Sequence, residues 1–336
     1  MNNVLKLDFL TKDNYTTYMD KYAPLLKKKQ KEAIRNGFDL TERLQNYTET
    51  AMGLRPDILS TKRHMIIWSP PGAGKTFTAN QTIESNNVEV LKIHGASTIN
   101  AFMVKLATVC YKNQGIDFSV WLDDCDSFFG RGSGDIDNLN IIKGITDDER
   151  EPDGNGRGGI LQYNVDVSRT ILQAEKAAET NPSRMIIAEA LNHFRDSDGL
   201  GVTIPMHNVQ FFWTTNKKLA SKKEAFTPNR NGQLNQIKVD EHAVRDRVIW
   251  RKFDINDDEA WGWMASNMLC NDVFKNDPGM QGRTLSTDQL MVLLTTFHKH
   301  WPNLEANSMR TVKEAGAMLL QDPDNFQDEF EQNYVG

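Results

Sequence analysis

Apolar positions along the chain fall into two regimes. From residue 64 onward, short apolar runs recur at 64–68 (HMIIW), 88–93 (VEVLKI), 118–122 (FSVWL), 209–213 (VQFFW) and 248–253 (VIWRKF). Longer segments with helical spacing lie between most of them, the alternation that a parallel sheet with crossover helices requires. Beyond Phe253 the strand pattern stops, and three helical stretches follow at about 257–270, 286–300 and 307–320. Ahead of the first strand, YMDKYAPLLKKKQKEAIRNGF and DLTERLQNYTETAMGL predict two helices, punctuated by Pro24, Gly37 and Pro56. The pattern thus predicts a helical segment over 1–58, an α/β core over 59–255, a helical appendage over 256–325 and a tail over 326–336.

One stretch breaks the order. Residues 130–159, GRGSGDIDNLNIIKGITDDEREPDGNGRGG, hold eight glycines and few large apolar side chains. They predict a long flexible loop between the third strand and the next helix. Loops of that length inside compact domains are usually functional or disordered.

Composition narrows the class. A chain of 336 residues suits about one to three domains, and 25% charged with 39% hydrophobic residues describes a soluble globular protein. No apolar run approaches the roughly 20 residues of a membrane span. The opening MNNVLKLDFLTKDN lacks the basic-then-apolar profile of a signal peptide. Cys110, Cys125 and Cys270 are widely spaced and odd in number, which argues against a disulfide framework or a paired-cysteine metal site. A reducing cytoplasm is the expected setting. The net charge of -6 does not describe a polycation built for nucleic acid, but the charge is uneven. Residues 1–64 carry 12 Lys/Arg against 8 Asp/Glu, and residues 254–336 carry 5 against 14. Such asymmetry suits the orientation of a partner or a neighbouring subunit.

The chemistry begins at HMIIWSPPGAGKTFTAN, residues 64–80. Within it, Ser69-Pro-Pro-Gly-Ala-Gly-Lys75-Thr76 fits the phosphate-binding pattern G-x-x-x-x-G-K-[ST], departing only at the first position, where Ser stands for Gly. Such a loop points successive backbone N–H groups at phosphate oxygens, and the following helix adds its positive end. In such a loop Gly72 and Gly74 let backbone approach the ligand closely, and the pattern expects Lys75 to reach the β- and γ-phosphates and Thr76 to bind Mg²⁺. Strand, loop and helix agree here, which a chance Pro/Gly turn would not require. A metal partner is expected on another strand, and FSVWLDDCDSFF supplies Asp123-Asp124 at a strand end, then Asp126. Asp123 is the candidate for the metal and Asp124 for polarising the attacking water. The bland alternative is a solvated acidic turn.

SPPGAGKT together with WLDDCDSF resembles the AAA+ ATPase family, whose second motif usually reads apolar-apolar-Asp-Glu-x-Asp. Asp124 stands where that family has its catalytic Glu, one methylene longer. The short form DDCDS resembles AAA+ proteins encoded by bacteriophages, which implies a host-cell cytoplasm. The resemblance covers about 55–322 and continues through VQFFWTTNKKLA, where Asn216 corresponds to sensor 1, and EHAVRDRVIWRKF, the segment carrying the arginine finger. Arg247 is the first candidate finger and Arg245 the second; local ion pairs are the alternative for both. In NSMRTVKEAGAML, Arg310 corresponds to sensor 2, with Arg283 as competitor. The family implies ATP and Mg²⁺ as cofactors, with Pro71, Gly72, Ala73, Gly74, Lys75, Thr76 and Phe77 around the nucleotide. It also implies a five-stranded parallel sheet in order 5-1-4-3-2, a small helical lid and a homo-oligomeric ring, usually hexameric, with an arginine entering from the next subunit.

The client is open on this reading. Phe102 and Met103 stand where unfoldases carry a pore loop, but their spacing predicts a helix with a core face. The glycine-rich stretch carries Arg131, Lys143, Arg150 and Arg157 beside an acidic cluster at 147–153, which suits either tracking of a nucleic-acid backbone or a solvated arm. The Lys27–Lys29 run reads more readily as a solvated helix face, and Trp261 and Trp263 as packing. A phage-type motor or loader on DNA, a protein remodeller and a nucleotide-gated assembly with slow hydrolysis therefore stand together. A clamp loader is disfavoured, because no collar domain of the usual size follows the helical appendage.

Overall fold

The computed structural model describes residues 12–54, 62–95, 99–129, 136–146, 160–164, 167–199, 201–206, 208–270, 273–274, 278–280, 282–305 and 307–336. In chain order the elements are α1 (Lys12–Tyr22), α2 (Lys28–Ala51), β1 (Met65–Trp68), α3 (Lys75–Asn86), β2 (Val90–His94), α4 (Ile99–Lys112), β3 (Phe118–Asp123) and α5 (Ile136–Ile145). There follow β4 (Ile160–Asn164), α6 (Val167–Ala178), α7 (Met185–His193), β5 (Gly201–Pro205), β6 (Val209–Thr215), α8 (Lys222–Ala225), α9 (Gln236–Arg247) and β7 (Ile249–Lys252). The chain closes with α10 (Asp257–Cys270), α11 (Thr287–His300), α12 (Met309–Gln321) and α13 (Phe326–Tyr334). Two compact units result: Glu49–Trp68 with Glu89–Lys252, and Met1–Thr48 with Ser69–Val88 and Phe253–Gly336.

The first unit holds an all-parallel sheet in the order β2-β3-β6-β1-β7. Its inner strands are continuous apolar runs because both faces are covered, with Ile66, Ile67, Val120, Trp121, Leu122, Phe211, Phe212 and Trp213 all buried. Numbered over the whole chain, this order differs from the expected 5-1-4-3-2. The difference comes from β4 and β5, which form an antiparallel pair of their own and which the apolar pattern did not separate out. Counted among themselves from the β7 edge, the five strands of the sheet run fifth, first, fourth, third, second. Register sets Trp68 opposite Thr215, Asp123 opposite Thr214 and His94 opposite Asp123, so the four strands end within one residue of one another.

The glycine-rich stretch is not one loop. Ile136, Leu139, Ile142 and Ile145 recur at helical spacing, and α5 forms on them with Leu139, Ile142 and Ile145 buried. Eight glycines masked this short apolar stripe. Lys143 pairs with Asp240 of α9 at 2.7 Å, while Arg131, Arg150 and Arg157 lie outside the described residues. In α4, Phe102 and Met103 are core residues, each 1% exposed.

The second unit is built from helices around Ile34, Phe38, Met264, Met268, Leu293, Phe297 and Val312. Phe326 and Phe330, in the stretch expected as a tail, are fully buried on α13. The start of α11 carries a reciprocal cap between Ser286 and Gln289. At one point α2 and α10 touch backbone to backbone. A Cβ on Gly37 would stand 2.1 Å from the Gly262 carbonyl carbon, and one on Gly262 would stand 2.0 Å from the Ala33 carbonyl oxygen. Only glycine at both positions permits that approach. Among the described residues, no helix is long and apolar enough to cross a membrane.

Candidate functional site

The phosphate-loop residues belong to the helical unit. The loop leaves β1 after Trp68 and enters α3 at Lys75, with Gly72 and Gly74 at φ +82° and +75°. Ser69 is buried, and its replacement of the usual glycine has a consequence. The buried Lys75 ammonium donates to the Ser69 carbonyl (3.1 Å), the Ser69 hydroxyl (2.8 Å) and the Pro70 carbonyl (3.2 Å). The lysine thus rests folded over the start of its own loop. Gly74 lies against Trp263 of α10: a Cβ there would be 1.9 Å from the indole ring. Phe77 meets the same indole edge-on, with ring centroids 6.3 Å apart. Gly72 faces the Asn307 carbonyl, 2.7 Å from where its Cβ would stand.

Phe77 and the exposed Arg310 line one cavity of 540 Å³, together with Met309, Lys313 and Ala317. A residue two positions beyond the lysine of the loop and the sensor-2 candidate therefore face a common space. Arg283 lies in the segment before α11 and does not line it. Pro71 is exposed and Ala73 buried, while Thr76 sits half-buried in the first turn of α3.

The carboxylates belong to the sheet unit. Asp123 ends β3 with its side chain fully buried. One carboxylate oxygen accepts the Thr214 hydroxyl at 2.7 Å, and the other meets His94 Nδ1 at 2.9 Å with Lys92 Nζ at 3.7 Å. Thr214 is held in turn by the Trp121 indole N–H at 2.9 Å, and Lys92 lies 4.1 Å over the Trp121 ring. A buried carboxylate needs such partners, because an unpaired charge in the interior is costly. Asp124 follows at φ +52°, a left-handed position that few non-glycine residues adopt and that accompanies local strain. Its N–H donates to the Thr214 carbonyl at 3.1 Å. The turn exposes its carboxylate, and the Asn216 amide donates to it at 3.1 Å from just past the end of β6. The Asn216 carbonyl accepts the Trp68 indole N–H at 3.1 Å, which fixes the residue that aims the amide. Asp126 accepts the Thr215 hydroxyl and stays with the turn.

Arg245 and Arg247 occupy the last turn of α9, both half-buried. Arg245 lies 4.9 Å over the Trp250 ring and reaches the Leu219 carbonyl at 3.5 Å. Arg247 donates to the Ala243 carbonyl of its own helix at 3.1 Å.

Sequence reasoning missed Ser69 as a lysine partner, His94 and Thr214 as partners of Asp123, and Trp263 as the wall behind Gly74. His94 was one residue past the expected end of its strand, and extending that strand by one would have set it opposite Asp123. The other contacts join distant positions and carry no local signal.

Cys125 sits inside the acidic turn. Burial first, then the charges of Asp123, Asp124 and Asp126, push its thiol from the ordinary 9.0 to about 12. Burial alone pushes Cys110 up to about 12. Both thiols stay protonated in the fold where an unfolded chain ionises them, so they withdraw stability as pH rises from about 9 toward 12. Peptide mass mapping after iodoacetamide treatment at pH 8.5 is expected to leave Cys110 and Cys125 unmodified in native protein and alkylated in urea. Labelling of native Cys125 would contradict the burial.

The chain matches no model of a known protein family and no curated protein.

Proposed function

We propose that the chain is an ATPase of the AAA+ type, with MgATP as substrate, working at the subunit interfaces of a homo-oligomeric ring to move or remodel a macromolecular client. The observation that carries this reading is the Asn216–Asp124 hydrogen bond of 3.1 Å, beside the buried Asp123 at the ends of neighbouring parallel strands. An amide aimed at an exposed carboxylate orients the group that takes a proton from an attacking water. The strand succession, with β1 running directly into the Ser69–Thr76 loop, supports the same reading.

In this scheme the loop N–H groups and Lys75 hold the β- and γ-phosphates. Thr76 and Asp123 would be the hard oxygen donors for a Mg²⁺ accompanying the nucleotide, which would supply charge neutralisation at the phosphates. Asp124 polarises the water and Asn216 positions it. Arg310 contacts the γ-phosphate from the same subunit, and Arg247 enters from the neighbouring one. Arg245 is the weaker candidate, because its guanidinium is spent over Trp250. A hexamer is the ring size the resemblance implies, and DNA is the client we put first. A nucleotide-gated assembly with slow hydrolysis is the second reading. It is favoured by the engagement of both Asp123 oxygens, by Thr214 and by His94, and by the shorter reach of Asp124.

Steady-state hydrolysis across protein concentrations, with and without single-stranded DNA, tests the scheme. Asp124→Asn is expected to lower turnover by about 10²-fold or more, the usual scale for a general base, while ATP binding persists. Arg247→Ala is expected to remove the dependence on protein concentration. Unchanged turnover in Asp124→Asn would remove Asp124 from the mechanism. Stimulation by DNA supports the motor; turnover indifferent to DNA points to a protein client; binding without turnover supports the switch.

A further inference from the structure

A second cavity, of 690 Å³, lies within the helical unit, walled by α2, the first turn of α10 and the end of α11. It shares no lining residue with the phosphate-loop group, and none of the roles assigned above uses it. Its floor is aromatic: Trp261 and Trp301 line it at 3% and 7% exposure. Around them stand three carboxylates, Glu32, Asp258 and Glu259, against Lys29 and His298, whose ring packs edge-on against Trp261 at 4.7 Å; one Glu259 oxygen also accepts the Asn256 N–H at 2.9 Å. The two indoles differ in one respect. The Trp301 N–H is spent on the Asp257 carbonyl at 3.0 Å. The Trp261 N–H is buried with no acceptor, although buried indole donors usually find one.

These features specify complementary chemistry. A cavity rimmed by carboxylates favours an organic cation through charge-assisted hydrogen bonds, and its indole walls suit the apolar stem of such a group. The orphaned Trp261 N–H calls for an acceptor on the same ligand. A polyamine brings the cation without the acceptor. An arginine or lysine residue in a polypeptide brings both, the side chain for the carboxylates and a backbone carbonyl for the indole. We propose that this cavity receives a basic side chain, foremost an arginine, from a polypeptide partner.

The probe is N-acetylargininamide, with N-acetylglutaminamide as its neutral counterpart and spermidine as the cation without a carbonyl. Binding is read at pH 8 by calorimetry and by tryptophan emission on the full chain without nucleotide, so the result is independent of the ATPase proposal. Saturable binding of the arginine probe is expected, at least fivefold tighter than the other two. Glu32→Gln and Asp258→Asn change exposed rim residues and spare the core, and together they are expected to weaken binding at least fivefold. Lys29→Gln is expected to tighten it about twofold by removing the opposing charge. Equal binding of the neutral probe, or no change in the Glu32→Gln/Asp258→Asn variant, would overturn the site. Spermidine binding as tightly as the arginine probe would overturn the peptide assignment. Binding of the arginine probe that is lost on self-association of the chain would identify the partner as a second copy rather than a separate polypeptide.

Discussion

Gly262→Ala lowers the stability of the chain by about 2 kcal/mol or more, despite placing a better helix former in the middle of α10. Two effects oppose each other. Alanine gains about 1 kcal/mol over glycine in a helix interior. Against this, the new methyl group would stand 2.0 Å from the Ala33 carbonyl oxygen, a backbone atom with no rotamer to turn aside. Overpacking of this kind costs about 1–3 kcal/mol and sometimes more, because helices must separate along their whole contact. The clash wins. A shift of the urea midpoint and a fall in Tm of about 5 °C measure it, at the scale of about 2–4 °C per kcal/mol for large domains. Gly115→Ala is the control, since its φ of +75° faces open space and only backbone strain is added. A Gly262→Ala protein as stable as wild type would mean that α2 and α10 do not meet in solution as described.

Lys75→Ala is the larger functional prediction. Turnover is expected to fall by about 10²–10³-fold, the usual loss when one preorganised stabiliser of developing charge is deleted. Removing a buried ammonium also takes a hydrogen-bond donor from the Ser69 and Pro70 carbonyls, which adds a structural component to the effect. Thermal melts separate the two, because a binding defect moves ATP-dependent stabilisation while a packing defect moves the apo Tm. Ser69→Gly is the companion. It keeps the two carbonyl bonds and deletes only the hydroxyl, so ATP affinity is expected to rise a few-fold with little change in turnover. Retention of full turnover in Lys75→Ala would dismiss the loop as a nucleotide cradle.

What could be read from sequence alone was local. The five strands of the sheet, the Ser69–Thr76 loop, the Asp123-Asp124 strand end and Asn216 each carry their signal in a few consecutive residues, and each stands at the expected kind of position. The antiparallel β4–β5 pair did not declare itself, because its strands are short and 36 residues separate Asn164 from Gly201. The α5 stripe was hidden by surrounding glycines, and α13 by its distance from any motif. The contacts that tune the site are of another kind. Trp263 against Gly74, Thr214 on Asp123 and Gly37 on Gly262 join residues far apart in the chain, and their identities alone do not announce them. Trp261 and Trp263 illustrate the limit. Both read as packing residues and both are buried, yet one lines a cavity and the other backs the phosphate loop.

The hydrogen bonds of Lys75 bear on the energetics of phosphate binding in the proposed site. Its ammonium already makes three hydrogen bonds, so an arriving phosphate exchanges bonds instead of adding them. Such an exchange yields a muted enthalpy of binding, and affinity then rests more on the loop N–H groups and the metal than on the lysine. The same three bonds tie the loop to its own side chain. On the proposed reading, the loop would keep its shape through each exchange of nucleotide, because its lysine has partners within its own chain.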